Sequence, residues 1–338
     1  MDPILALLSF LKVSKDNFMV PTLQIPPSPF LRSASDLLCL LGLPVGEEMA
    51  DFGFSTLVTT HFVSKMIPGN ARDPLLLQVL PADFEGRQVA GFCTDPVGDG
   101  NAQQDAGILQ KYSGRILVVA TGACAIHCRY CFRRSYPYAD IHSTDIAERL
   151  ELYLHAHPDV EEVILSGGDP LLLSDETLAR LFAVTSSEPS VTRIRIHTRL
   201  PVVLPTRFSS SLLNLLAEQA IPIVLVAHVN HAQELDSASA EVFAALRAIG
   251  VHLLNQSVLL QGVNDSLETL AELSRRLFAQ GVMPYYLHQL DRVAGAAHFE
   301  VPESVGLALV AQLQAILPGY LVPKYVREIP GEPCKTLL

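Results

Sequence analysis

The sequence predicts an α/β protein built on a partial (β/α)6 barrel, and three observations carry that prediction. Six apolar, strand-like runs occur at 116–120, 163–166, 193–197, 223–228, 251–256 and 283–288. Each precedes a stretch with helical spacing, roughly 144–156, 174–187, 209–219, 238–249, 266–280 and 303–317. The runs are continuously apolar, as in parallel strands covered on both faces. Six such units in succession argue for a parallel sheet with right-handed crossovers. Six is two short of a closed eightfold barrel, so an open barrel is expected, with its chemistry at the C-terminal ends of the strands. A flat doubly wound sheet is the alternative. No strand leads into a GxGxxG or P-loop pattern, so nucleotide binding of those two kinds has no support.

The region ahead of the barrel, 1–105, is expected to be mostly helical and irregular. It has no repeat and mixes short helical patterns, as at 35–43, with loops rich in Pro and Gly. The barrel is assigned to 106–320 and a short C-terminal segment to 321–338. The chain has 338 residues, 49% of them hydrophobic, which is ample for a full core. A formal net charge of -11 argues against a general nucleic-acid binder, which needs basic surface to neutralise phosphates. Apolar runs are short and broken by charges, Gly or Pro, so no membrane span is expected. The start, Met-Asp-Pro-Ile-Leu-Ala, lacks the basic beginning of a signal peptide, and a cytoplasmic location is the expectation. Six cysteines in a chain this long do not form a disulfide framework. Cys39, in Asp-Leu-Leu-Cys-Leu-Leu, reads as a core thiol.

The most informative segment follows the first strand: Thr-Gly-Ala-Cys-Ala-Ile-His-Cys-Arg-Tyr-Cys-Phe-Arg-Arg. Cys124, Cys128 and Cys131 have C-x3-C-x2-C spacing with no fourth cysteine close by. Three thiolates on one loop can hold three corners of a [4Fe-4S] cluster and leave one iron open for a small molecule. A zinc site or three incidental thiols are the alternatives, although structural zinc usually takes four ligands in two pairs. The spacing, with Tyr130 before the last cysteine, resembles the radical S-adenosylmethionine superfamily. That resemblance implies a radical SAM partial barrel and a cluster that cleaves S-adenosyl-L-methionine to a 5′-deoxyadenosyl radical.

The second strand ends in Ser166-Gly167-Gly168-Asp169-Pro170. Two glycines at a strand end permit close approach of a ligand to the backbone. An ordinary turn with an Asp capping the next helix is the plainer alternative. Beside the cysteine loop, the segment resembles the Gly-Gly-acid motif by which such enzymes hold the S-adenosylmethionine amino group. His228 and Gln256 stand at later strand ends and join the same expected ring.

A wider resemblance covers residue 65 to the end. Its motifs are Arg-Asp-Pro-Leu-Leu-Leu-Gln-Val (72–79), Lys-Tyr-Ser-Gly-Arg (111–115), Cys-Arg-Tyr-Cys-Phe-Arg-Arg and Leu-Ser-Gly-Gly-Asp-Pro-Leu. Further on come Pro-Val-Val-Leu-Pro (201–205), Asn-Gln-Ser-Val-Leu-Leu-Gln-Gly-Val-Asn-Asp (255–265) and Pro-Tyr-Tyr-Leu-His-Gln-Leu-Asp (284–291). Together, in this order, they resemble lysine 2,3-aminomutase. The resemblance implies pyridoxal 5'-phosphate as a second cofactor, held as a Schiff base on Lys335. An imine can take up a neighbouring carbon radical and move its nitrogen to the next carbon. Arg115 matches a family arginine for the cofactor phosphate. Lys111 stands where longer relatives carry a second arginine, keeping the charge but losing the bidentate fork.

For the substrate, Arg133 matches the arginine that binds the α-carboxylate of lysine. Asp291 matches one of two acids facing the ε-ammonium. Glu328 matches the other, with Glu in place of the family's Asp. A plain surface role for Arg133 beside Arg129 and Arg134, and pairing of Asp291 with Arg292, are the competing readings. Gly-Glu-Pro-Cys-Lys and the short stretch after Lys335 resemble the branch that makes β-lysine for translation elongation factor P. The resemblance thus implies conversion of (S)-α-lysine to (R)-β-lysine, an electron donor such as a flavodoxin, and a functional link to an elongation factor P ligase. Action on glutamate, arginine or lysine for catabolism, or a non-catalytic iron–sulfur interaction protein, are the alternatives.

Overall fold

The computed structural model describes residues 28–46, 52–140 and 145–338. A ten-stranded sheet runs through them in chain order. Strands β1 (Gln103–Asp105), β2 (Ile108–Tyr112) and β3 (Arg115–Thr121) pair antiparallel. From β3 the pairing is parallel through β4 (Glu162–Gly167), β5 (Arg193–Thr198), β6 (Ile223–His228) and β7 (His252–Val258). It continues parallel through β8 (Met283–His288) to β9 (Lys324–Arg327), and β10 (Thr336–Leu337) returns antiparallel. Six helices follow the strands as expected: α1 (Ile146–Ala156), α2 (Asp175–Ser187), α3 (Ser210–Ala217), α4 (Ser237–Ala248), α5 (Leu267–Ala279) and α6 (Glu303–Ile316). Side-chain caps start several of them: Ser174, Ser209, Asp236 and Ser266 each accept a backbone N–H of the first turn.

This is the partial barrel the sequence predicts, with an addition. The tail supplies a further parallel strand, β9, beyond the six expected, so 321–338 extends the sheet. The part of the N-terminal region before residue 28 lies outside the described residues, as does residue 144 of the first expected helix. Cys39 departs from expectation. Helix Ala34–Leu40 buries Ala34, Leu37 and Leu38, and Cys39 lies on its exposed side.

Alternation along the strands separates two environments. On β5, Ile194, Ile196 and Thr198 are buried, whereas Arg193, Arg195 and His197 are part-exposed. On β7 the same holds for Leu253, Asn255 and Ser257 against Leu254, Gln256 and Val258. The buried aliphatics join the core under the helices, with Leu150, Leu181 and Phe243. The other face, part-exposed on β5 and β7, is the lumen side of the open barrel. Its floor is ionic: the Glu162 carboxylate, 4% exposed, accepts hydrogen bonds from Arg193 and Arg195. Among the described residues, no helix is long and apolar enough to cross a membrane.

The sheet stays open, yet side chains bridge its two ends. The Tyr112 hydroxyl on β2 donates to Glu328 Oε1 at 2.7 Å, just beyond β9. Lys111 Nζ lies 3.6 Å from the same oxygen. Upstream, Cys93 pairs in parallel with Val293 after β8. The Tyr112 and Lys111 contacts draw β2 toward the end of β9.

Candidate active site

The cysteine loop leaves the C-terminal end of β3 and rests on the turn after β4. Gly168 N–H donates to Thr121 O and Asp169 N–H to Ala123 O, both at 2.7 Å. A Cβ on Gly168 would sit 2.7 Å from the Ala123 carbonyl carbon and 2.8 Å from that of Gly122. Gly167 has φ 121°, a value open essentially to glycine. The close approach that these glycines permit is therefore backbone on backbone: they seat the cysteine loop. The Asp169 carboxylate is committed locally. It accepts from the Thr198 hydroxyl at 2.8 Å, from Arg199 N–H at 2.8 Å and from Leu171 N–H at 3.2 Å. Burial pushes it up to about 6.

All three loop cysteines are free and part-exposed. Burial, then the neighbouring thiols, raises Cys124 above the ordinary thiol range; burial with Cys128 lifts Cys131 to about 11. The mutual effect marks three sulfurs gathered in one place. No three His, Cys, Asp or Glu side chains among the described residues converge as ligands of a single metal ion. In a cubane each thiolate takes a different iron, so its sulfurs need not meet at one point. The donor set fits that use.

One residue absent from the sequence reasoning lies against this loop. Arg199 follows β5 and is 6% exposed. Its Nη1 donates to Cys128 Sγ at 2.7 Å and to the Tyr130 hydroxyl at 2.8 Å. Its Nη2 donates to Gln78 at 2.6 Å and Glu234 at 3.0 Å. Tyr130 also lies 2.9 Å from His228 Nε2. Gln256, on β7, makes no side-chain hydrogen bond among the described residues, so its amide is available to a ligand.

The loop reaches the tail through Arg133. This arginine is buried, contrary to a surface role. Its Nε donates to Asp99 Oδ2 at 2.6 Å and its Nη1 to Ser166 Oγ at 3.2 Å. Asp99 Oδ1 lies 2.7 Å from Lys111 Nζ. Burial alone would raise the Asp99 carboxyl, but Arg133 and Lys111 outweigh it and hold it below its ordinary value. Lys111 leads to Glu328, whose second oxygen accepts from Lys335. Here too burial is outweighed, by Lys335 first and then Tyr112, and Glu328 is held low. Arg133, Asp99, Lys111, Glu328 and Lys335 thus form one continuous charged chain from the cysteine loop to the tail. Asp99 and Tyr112 were not singled out in the sequence.

Asp291 stands beside this chain without joining it. Its carboxylate makes no hydrogen bond or ion pair among the described residues. Arg292, its expected partner in the plain reading, pairs with Glu300 at 2.7 Å. Burial pushes Asp291 up to about 7; Lys335 pulls it down and Glu328 pushes it up. His197 and His288 are held low by burial, with Lys335 among the charges acting on both. They share the Lys335 end of the lumen.

The residues also fit a phosphorylated pyridoxal. Lys335 supplies an amine, 26% exposed, at the lumen. Arg115 stacks over the Tyr112 ring at 4.8 Å, and its buried Nε has no partner. A part-exposed guanidinium with a buried, orphaned donor is a ready anion site.

Known proteins are similar to this sequence. The Radical SAM superfamily pattern matches residues 118–274, from β3 through the cysteine loop into α5. An L-lysine 2,3-aminomutase of Haemophilus influenzae is 48% identical over 285 residues, covering 84% of each chain. One of Escherichia coli K12 is 45% identical over 331 residues, covering 96% of this chain and 95% of that one. One of Clostridium subterminale is 36% identical over 282 residues, covering 82% of this chain and 67% of that one.

Proposed function

The chain belongs to the L-lysine 2,3-aminomutase family of radical SAM proteins, and from that premise we propose that it is an isomerase converting (S)-α-lysine to (R)-β-lysine. Cys124, Cys128 and Cys131 would hold a [4Fe-4S] cluster. Ser166, Gly167, Gly168, Asp169, His228 and Gln256 would surround S-adenosylmethionine. Lys335, Arg115 and Lys111 would hold pyridoxal phosphate. When bound, these groups supply the radical and the imine through which nitrogen migrates.

The chain's own residues supply binding and orientation. Arg133 would present its remaining guanidinium nitrogen, Nη2, to a carboxylate while Asp99 and Ser166 fix its plane. Asp291 offers an unpaired carboxylate to the distant ammonium. Glu328 is now satisfied by Lys335. With Lys335 turned to its cofactor, the Glu328 oxygen it occupies would be open to another cation, while Tyr112 and Lys111 stay on the first. The ε-ammonium of lysine is such a cation. Two acids facing one cation favour lysine over glutamate. A non-catalytic iron–sulfur protein has no use for this set.

The observation that carries the reading is the charged chain linking the cysteine loop to Lys335. It supports one reaction chamber for both cofactors. By the same resemblance, we assign the product to elongation factor P modification through a separate ligase. A flavodoxin-class protein would donate electrons, and the location would be cytoplasmic. The test is an anaerobic assay of reconstituted protein with lysine, S-adenosylmethionine and pyridoxal phosphate, with glutamate and arginine in parallel. β-Lysine from lysine alone is expected. Turnover of glutamate or arginine instead would overturn the substrate assignment.

A further inference from the structure

Arg199 has no part in the substrate or cofactor assignments above, yet it touches the cysteine loop directly. Its sequence setting, His-Thr-Arg-Leu-Pro, reads as a basic residue at a strand end. In the fold it is buried, lying over the Phe62 ring at 5.1 Å. Four hydrogen bonds spend its two terminal nitrogens. Gln78 and Glu234 fix Nη2, and the Tyr130 hydroxyl fixes Nη1 beside Cys128 Sγ. Its own N–H is held by Asp169 at 2.8 Å. The acceptors are themselves braced. Asn230 donates to Gln78 at 3.0 Å and to Tyr130 at 2.7 Å, and Glu234 accepts Asn230 N–H at 3.0 Å. A guanidinium held at this many points cannot swing away from the sulfur without breaking a buried network.

Cys131 takes the Arg133 backbone N–H, but neither it nor Cys124 receives a side-chain hydrogen bond among the described residues. The other nearby arginines are occupied: Arg133 with Asp99 and Ser166, Arg134 with Glu85 and the Arg129 carbonyl. The three cluster corners are therefore unequal. Hydrogen bonds to ligand sulfur drain charge from it and favour the reduced, more negative cluster, which raises its reduction potential.

We propose that Arg199 is a positioning residue that, through its hydrogen bond to the Cys128 sulfur, raises the cluster's reduction potential toward that of its electron donor. This rests on the reading of the cysteine loop as a [4Fe-4S] site. Its effect is on how readily one electron enters, before any substrate is bound. Glu234 is the counter-ion that makes a buried guanidinium tolerable at this place.

The test is a redox titration of the anaerobically reconstituted full chain, without S-adenosylmethionine, followed by electron paramagnetic resonance. Wild type is compared with Glu234→Gln and with Arg199→Gln combined with Glu234→Gln, which removes both buried charges together. The double variant should show at least a tenfold lower reduced-to-oxidised ratio at fixed donor potential, a downward shift of about 59 mV. Glu234→Gln alone keeps the sulfur contact and removes one buried negative charge, so it should titrate at or above wild type and not below it. Equal potentials in the double variant and wild type would overturn the inference. Should the double variant fail to load iron, wild type grown with guanidino-15N arginine decides. A 15N coupling to the reduced cluster is expected, and its absence would overturn the inference. Wild type that loads no iron would refute the cluster itself, and this inference with it.

Discussion

Lys335 and Glu328 are ion-paired across the turn that joins β9 to β10, seven residues apart. Glu328 is at once the acceptor of Tyr112 from the opposite end of the sheet. A single carboxylate therefore ties the proposed cofactor lysine to the seam of the barrel. Its length matters. Glutamate reaches Tyr112 with one oxygen and Lys335 with the other.

Shortening that arm should be felt as geometry and not as charge. Glu328→Asp should keep measurable turnover with a raised KM for lysine, since one of the two contacts is lost. Glu328→Gln removes the charge as well and should lose kcat/KM more severely, by roughly 2–5 kcal/mol if the ammonium is desolvated. Steady-state kinetics of both variants give the order; Gln equal to or better than Asp would contradict it.

Replacing Lys335 by Ala should abolish turnover and the borohydride-trapped pyridoxal adduct, yet leave iron content unchanged. The two cofactors sit on different segments, so one can be lost alone. Peptide mapping of the reduced wild-type adduct checks this directly, and an adduct on another lysine would show that the tail was misassigned.

Asp291 links function to pH. It must be ionised to hold an ammonium, and burial places it at about 7. In kcat/KM, which reports the free enzyme, lysine turnover should fall as pH drops through about 7. Asp291→Asn should remove this limb and cost on the order of 30-fold or more in kcat/KM. Stability runs the other way. The folded carboxyl binds its proton more tightly than the unfolded one. Between the unfolded pKa, about 3.9, and about 7, the native state carries the extra proton, so stability falls as pH rises. Asp291→Asn should therefore raise the Tm of the ligand-free protein at pH 8 and leave it nearly unchanged at pH 4. A destabilised variant at pH 8 would contradict the absence of a partner for this carboxylate.

Gly168→Ala tests the seating of the cysteine loop. The added methyl meets backbone at Ala123 and Gly122, which cannot rotate aside. Overpacking of this kind costs about 1–3 kcal/mol. The variant should load less iron although every cysteine is present. Full iron content and an unchanged Tm would show that the loop is free to shift.

Much of this was readable from the chain because of one physical circumstance. Each central strand buries one face under helices and turns the other toward the lumen, and in Val163–Leu165 and Ile223–Val226 both faces are apolar. Such runs declare themselves. Strand β9, Lys-Tyr-Val-Arg, does not, because a short segment flanked by charges becomes a strand only through its neighbour β8. The cysteines and Lys335 were legible through spacing and resemblance. Asp99 was not: in Asp-Pro-Val-Gly-Asp-Gly-Asn it looks like a solvated turn acid. Only the fold brings Arg133 and Lys111 to it. Arg199 was hidden for the same reason. Its four acceptors lie on three separate stretches of chain. Cys39 was misread because four leucines around a cysteine suggest a buried face, whereas a helix buries only one side.

The most direct measurement follows hydrogen. Lysine deuterated at C3 is turned over anaerobically with S-adenosylmethionine and pyridoxal phosphate, and 5′-deoxyadenosine and β-lysine are analysed by mass spectrometry. If one lumen brings the cysteine loop and Lys335 to the same substrate, deuterium should appear in 5′-deoxyadenosine and pass on to β-lysine. S-Adenosylmethionine cleavage that leaves the 5′-deoxyadenosine unlabelled, with no β-lysine formed, would contradict the shared chamber.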